Sequence, residues 1–514
     1  MSKVAKATLA LMIATMLSKV LGFGRELVLA SSYGMSSYTD AYLIALNMPN
    51  TIFAAVGTAI ATTFIPMYYT VSNEQGEEGA NKFTNNIFNI VLTICIVVAI
   101  LGIVFTKPLV KVFAMGFEGE TLELAIYFTR IIIVGIIFMG LSNLMTAFLQ
   151  AKNNFSVPGL IGIPFNVFII IGIILSVGRS PFILAICTFL GLASQFLFQL
   201  PFAIKKGYRY KPYIKFKDKD MKNMLWLVGP VFIGVAVNQI NTMVDRTLAS
   251  TLTEGSVTAL NYSNRLNLFV ISMFIASIST VIYPMLSKLS SDDNKEKFTE
   301  AVVTSVNTIT LLVIPVSVGA MVLATPIVKF LFERGEFNAH ATAMTASALV
   351  FYSIGLIGFG IRDILGKVFY SLQDTKTPMI NGAIAMGINI VLNIILVRFM
   401  GHNGLAFATS ISAILTIVLL FRSLKKKVGY FGQDKIIKVI IKSFVSAVIM
   451  GVISVLTYNI LIGALGSGTL VEMIALFVAI IIGAIAYVIL IIMLKVEEIT
   501  IISDKILKKI KNKK

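Results

Sequence analysis

Between Ser18 and Asn50 the chain reads SKVLGFGRELVLASSYGMSSYTDAYLIALNMPN, and several of its charges stand where charges are expensive. Lys19, Arg25 and Glu26 interrupt an apolar run that starts at Ala7 and is long enough to cross a bilayer. A charge at the centre of a membrane helix costs about 2.5–3.5 kcal/mol on insertion scales, so three on one helix must face a wet, protein-lined interior. Cations held there suit an anion, and arginine suits phosphate because its planar fork donates two parallel hydrogen bonds. Mutual pairing of the three charges is the competing reading. Asp40, Asn47 and Asn50, around Pro49, repeat the pattern at the head of the next apolar run. Gly22 and Gly24 flank Phe23 and predict a bend or an unwound turn beside a cavity.

A second polar group lies in the other half of the chain. Asp245 and Arg246 interrupt QINTMVDRTLAS, and Arg265 sits in NYSNRLN. Lys19, Arg25 and Arg265 together predict a basic interior, whereas Arg246 adjoins Asp245 and could simply neutralise it. Arg130, Arg362, Asp363 and Lys367 also fall in or near apolar runs, where pairing within or between helices accounts for them. GIRDILGKV at 360–368 lacks Walker spacing and has no Ser or Thr after its lysine, so nothing points to nucleotide hydrolysis. His340 and His402 are far apart in sequence, and no catalytic pair is visible.

The elements that must position these residues are membrane helices. The chain has 514 residues, 57% of them hydrophobic and 13% charged, with a mean hydropathy of +0.88, which predicts an all-α polytopic membrane protein. Apolar stretches of spanning length predict about fourteen helices, those bearing the polar groups falling at 7–33, 38–71, 223–252 and 256–287. The N-terminal stretch reads as a retained first helix rather than a cleaved signal peptide. A net charge of +18 would suit nucleic acid, but the basic residues cluster in short loops, as the positive-inside rule requires. Lys205 to Lys222 holds eight basic residues against two acidic ones, and 422–442 and 505–514 are similarly basic. All three segments, and with them both termini, are predicted to be cytoplasmic. Cys95 and Cys187 lie inside apolar runs, which argues against a disulfide framework or a metal site.

The chain also repeats itself. Pro66-Met67 matches Pro284-Met285, and Pro108 in KPLVKVF matches Pro326 in TPIVKFLF, both at an offset of 218 residues. Leu149-Gln150 and Leu372-Gln373, like Asn166 and Asn389, match at 223. Six helices followed by six more in the same orientation predict two lobes with a substrate between them, as in two-lobed transporters. The expected domains are 1–204 as the first lobe, 205–222 as a basic linker, and 223–424 as the second lobe. The remaining 425–514 carries two extra helices and a basic tail.

SKVLGFGRE, TDA at 39–41, PN at 49–50, VDRTLAS and YSNR together resemble the MurJ (MviN) lipid II flippases of the MOP exporter superfamily, over essentially the whole chain. The resemblance implies an alternating-access carrier in the bacterial plasma (inner) membrane. It would move an undecaprenyl-diphosphate-linked peptidoglycan precursor from the inner to the outer leaflet, with no enzymatic step. By the same resemblance Lys19, Arg25 and Arg265 hold the diphosphate, with Asp40, Asn47 and Asn50 beside them, and the extra helix pair forms a groove for the prenyl tail. It further implies a sodium site from Asp245, Asn389, Asn393, the Leu405 carbonyl and Thr409. One carboxylate with neutral oxygens suits a hard monovalent cation, and Asn389 and Asn393, four residues apart, share a helical face. Hydrogen bonding between helices is the alternative role for these asparagines. The chain departs from many relatives in carrying Lys19 in place of arginine, and from some in Phe53 and in neutral Asn393. Lipid II, membrane lipids and the cell-wall synthesis machinery are the expected partners, with no organic cofactor. The rival reading is a MOP-type exporter of another lipid-linked oligosaccharide or small molecule. A glycosyltransferase would need a sizeable outer loop, and the predicted outer loops are short.

Overall fold

The computed structural model describes residues 3–215, 219–291, 295–466 and 468–498, and the regular elements among them are helices. In chain order these are α1 (Lys3–Tyr33), α2 (Ser37–Val104), α3 (Thr106–Phe113), α4 (Gly119–Ile132), α5 (Ile136–Ala151), α6 (Ser156–Leu160) and α7 (Gly162–Ser176). Next come α8 (Pro181–Lys205), α9 (Lys219–Ser250), α10 (Ser256–Val270), α11 (Ala276–Ser291), α12 (Lys295–Val322) and α13 (Ala324–Phe332). The last are α14 (Ala339–Ile354), α15 (Leu356–Ser371), α16 (Lys376–Met400), α17 (His402–Val428), α18 (Gln433–Leu465) and α19 (Thr469–Met493). Helices prevail because lipid cannot satisfy backbone groups, so each spanning segment must bond its own. Among the described residues ten segments are long and apolar enough to cross a membrane. The spans expected at 7–33, 223–252 and 256–287 fall on helices whose side chains are described only in part, and the tail 505–514 lies outside the described residues.

The 68 residues of α2 would reach about 100 Å if straight, against a hydrocarbon core of about 30 Å. Gly76, at φ 72° and ψ −173°, breaks the run into two spans. Lys152 closes this hairpin, donating to Glu77 at 2.6 and 2.8 Å while its Nζ lies 5.4 Å from the Tyr68 ring.

The described residues form two compact units, 1–258 with 334–338, and 259–333 with 339–514. In the first unit the core runs through Phe64, Tyr68, Phe83, Phe88, Phe148 and Phe196. It also captures the basic linker. Tyr208 is buried between the Phe88 and Phe148 rings, and four asparagines on α2 hold the linker backbone. Asn81 donates to Gly207 O, Asn85 to Arg209 O, Asn89 to Tyr213 O and Asn86 to Lys215 O, at 2.8–3.2 Å. Lys205, Lys206, Arg209, Lys211 and Lys215 remain exposed.

In the second unit α18 and α19 pack on α12 through Leu311, Ile314, Val318, Met450 and Tyr487. The Tyr487 hydroxyl donates to Leu311 O at 2.9 Å, and Lys329 of α13 bonds Glu472 of α19 at 2.8 Å. Their other faces expose large apolar residues such as Phe444, Leu456, Phe477 and Ile485, as helices bordering lipid do.

The sequence repeat has a structural counterpart. Pro108 and Pro326 each stand third in a short helix that follows a long span, α3 after α2 and α13 after α12. The turns after α5 and α15 both use a left-handed residue, Asn153 and Gln373, followed by a capping Asn154 or Asp374. Lys427, with the Thr377 N–H, holds the Asp374 carboxyl down at about 2.

The segment Arg334–Asn338 belongs with the first unit because it interlocks with the end of α1. Glu336 N donates to Ser31 O at 3.0 Å, and Gly34 and Gly335 both adopt φ +58°. A Cβ on Gly34 would collide with Glu336 O, and one on Gly335 with Ser31 O. Gly335→Ala is therefore expected to cost about 1–2 kcal/mol in left-handed backbone strain, and more through the clash, lowering the melting temperature of purified protein. An unchanged melting temperature would show that this junction is not tight.

Candidate functional site

Arg25 is buried on α1, with 7% of its surface exposed, and Glu26 beside it retains 1%. The guanidinium donates to Glu26 Oε1 at 2.5 Å and lies 5.6 Å from the Phe165 ring on α7. This stretch does not unwind. The α1 helix continues through Gly22 and Gly24, and the Asn166 carboxamide of α7 lies beside Gly22, where even a Cβ would meet it only at ordinary van der Waals distance, 3.5 Å. Asn166 donates to Gly162 O at 2.7 Å and to Ser18 O at 3.4 Å, which fixes the α1–α7 seam under Arg25. Lys19, almost two turns earlier, is exposed.

Asp40 is buried in the first turn of α2, where its carboxylate is spoken for. It accepts from Gly255 N at 2.8 Å, from Thr258 N at 2.9 Å and from the Thr258 hydroxyl at 2.5 Å, capping the start of α10. The cap is reciprocal. Glu254, just before α10, accepts from Ser37 N at 2.5 Å and Ser37 Oγ at 2.7 Å at the start of α2. Asp40 and Thr258 stand 218 residues apart, the same spacing as the proline pairs.

Asn47 and Asn50 open onto a polar cavity of about 290 Å³ between α2, α5 and α9. Thr51, Gly57, Thr58, Asn143, Gln239, Thr242 and Arg246 also line it. Around Pro49 the side chains take up helix carbonyls, Asn47 Nδ2 bonding Leu43 O at 2.7 Å and Thr51 Oγ1 bonding Asn47 O at 3.0 Å. Arg246 does not merely neutralise Asp245, for its Nη1 reaches Thr51 Oγ1 at 3.2 Å. Phe53, the departure from some relatives, is buried beside this cavity. Sequence reading named Arg246 but gave no role to Asn143, Gln239 and Thr242. The usable signal was there, since carboxamides are costly in an apolar run. A second cavity of about 460 Å³ lies beside Tyr33, Ser37 and Glu254, with Glu120 and Arg179 on its wall.

In the second unit Arg265 is half-buried on α10. Asn389 and Asn393 are buried on α16, where Asn393 Nδ2 donates to Asn389 Oδ1 at 3.1 Å. On the adjoining α17, Thr409 Oγ1 donates to Leu405 O at 3.0 Å. These oxygens are neutral and hard, a donor set that fits sodium better than a transition metal. The buried Asn389 Nδ2 has no hydrogen-bond partner, so rotation of that amide would present its oxygen instead. Asp245, the expected carboxylate, is half-buried in the first unit.

The family profile described as lipid II flippase MurJ matches residues 29–479. A probable lipid II flippase MurJ of Vibrio cholerae is 34% identical over 427 residues, covering 80% of this chain and 81% of the relative. The lipid II flippase MurJ of Burkholderia cenocepacia is 30% identical over 428 residues, covering 80% and 82%. Among solved structures, a lipid II flippase MurJ in an inward closed conformation superposes with TM-score 0.80 at 30% identity, covering 94% of this chain and 99% of the other. An inward-facing MATE multidrug transporter of the MOP superfamily shares the fold, with TM-score 0.67 at 16% identity over 83% of this chain and 99% of that one. With the family profile matched over residues 29–479 and relatives 30–34% identical over four fifths of both chains, the chain belongs to the MurJ family of lipid II flippases.

Proposed function

We propose that the chain carries lipid II, the undecaprenyl-diphosphate-linked peptidoglycan precursor, from the inner to the outer leaflet of the bacterial plasma membrane by alternating access. The family match across residues 29–479 carries this reading. The diphosphate would be held by Lys19 and Arg25 with Arg265, while Asp40 braces the helix start that leads to Arg265. The Asn47 and Asn50 carboxamides would serve the same headgroup. The lobes 1–204 and 223–424 would rock about it, and 425–514 would border the prenyl tail through the apolar faces of α18 and α19. With the basic linker and both termini in the cytoplasm, two negative charges move outward, a step favoured by about 4–5 kcal/mol per 100 mV. No nucleotide is hydrolysed. Sodium held by Asn389, Asn393, Leu405 O and Thr409 with Asp245 would supply a positive charge that biases the second lobe between its states. Delivery to cell-wall synthesis enzymes would follow on the outer face.

The decisive measurement is leaflet accessibility. Depleting the protein from cells that have no other copy is expected to abolish labelling of lipid II from the outer face, and restoring it to return that labelling. Outer-face labelling that persists through depletion rejects the proposal.

A further inference from the structure

The cavity between α2, α5 and α9 offers a chemistry different from that of the α1 cations. Among the described residues that line it the guanidinium is that of Arg246, which follows Asp245 on the same helix, so that stretch of α9 carries no net formal charge. The rest of its described polar lining is neutral, chiefly Asn50, Asn143, Gln239 and Thr242. A diphosphate, with two or more negative charges, gains little from a charge-balanced site. One carboxylate flanked by amides gains more, because the guanidinium fork takes the carboxylate while carboxamides both donate to and accept from the neighbouring peptide groups. At about 290 Å³ the cavity falls at the lower end of ligand pockets and holds roughly one amino-acid residue. Its wall is built for this lining. A Cβ at Gly57 would stand 2.7 Å from Asn143 Nδ2, so only glycine there lets that carboxamide keep its place. Resting on the transport reading above, we infer that this cavity is a subsite for a peptide carboxylate of the cargo headgroup, with Arg246 as its anchor and Asn143 and Gln239 as its amide readers.

The test uses the full-length protein in nanodiscs and three probes. These are lipid II, lipid II with its peptide carboxylates converted to methyl amides, and undecaprenyl diphosphate. The unmodified lipid is expected to bind about 10- to 100-fold more tightly than the blocked one, the range for a hydrogen-bonded charged contact. Arg246→Gln should erase that preference and leave undecaprenyl diphosphate binding as it was. Arg246→Lys, which keeps the charge but loses the fork, should retain part of the preference and also covers the case in which the glutamine variant fails to fold. Equal binding of blocked and unblocked lipid, or an Arg246→Gln protein that keeps the preference, overturns the subsite alone. Failure of the unaltered protein to bind any of the three overturns the transport reading and the subsite with it.

Discussion

Arg25→Ala is expected to abolish outer-leaflet delivery of lipid II and also to destabilise the protein by about 3–5 kcal/mol, because it takes the pairing guanidinium away from the buried Glu26 carboxylate. The double effect follows from geometry. Glu26 is 1% exposed and receives the Arg25 guanidinium at 2.5 Å. A single substitution therefore cannot separate cargo binding from folding, but a pair of substitutions can. In Arg25→Met/Glu26→Met both charges leave together, and replacing a buried pair by apolar side chains is commonly neutral or stabilising. That variant should recover its melting temperature and remain unable to deliver lipid II. Recovered delivery would mean that Arg25 serves only Glu26, and the anion-binding role would fall.

Asp40→Ala should have the next largest effect, a loss of about 2–3 kcal/mol from the charged hydrogen bonds that cap α10. The loss should be local. Hydrogen exchange at Gly255 and Thr258, whose N–H groups Asp40 now accepts, should accelerate well beyond that of the α5 core. Asp40→Asn keeps one acceptor oxygen and should fall between the two. Unaltered exchange at 255–258 in the alanine variant would remove the cap from the account of how α10 is held.

The sequence shows clearly what lipid dictates and poorly what partners dictate. Hydropathy alone reveals a membrane protein made of helices, since no other regular structure satisfies its backbone within one spanning segment. Charge cost alone singles out Arg25, whatever its partner proves to be. Three-dimensional pairing is another matter. Nothing in the order of residues tells that Asp40 bonds a residue 218 positions away, or that Arg246 reaches Thr51 instead of only balancing Asp245. Gly22 misleads for the same reason. It reads as a helix breaker, but in the fold α1 runs straight through it beside the Asn166 carboxamide, and the tertiary setting overrides its weak intrinsic propensity.

The asparagines of α2 set a limit on motion as well. Lys215 N donates to Asn86 Oδ1 at 2.7 Å, and α9 starts only four residues later, at Lys219. Four residues stretch to about 14 Å at most. The first turn of α9 thus hangs on a short leash from Asn86, and Met221 and Met224, sunk in the same core as Phe88 and Phe148, moor it there.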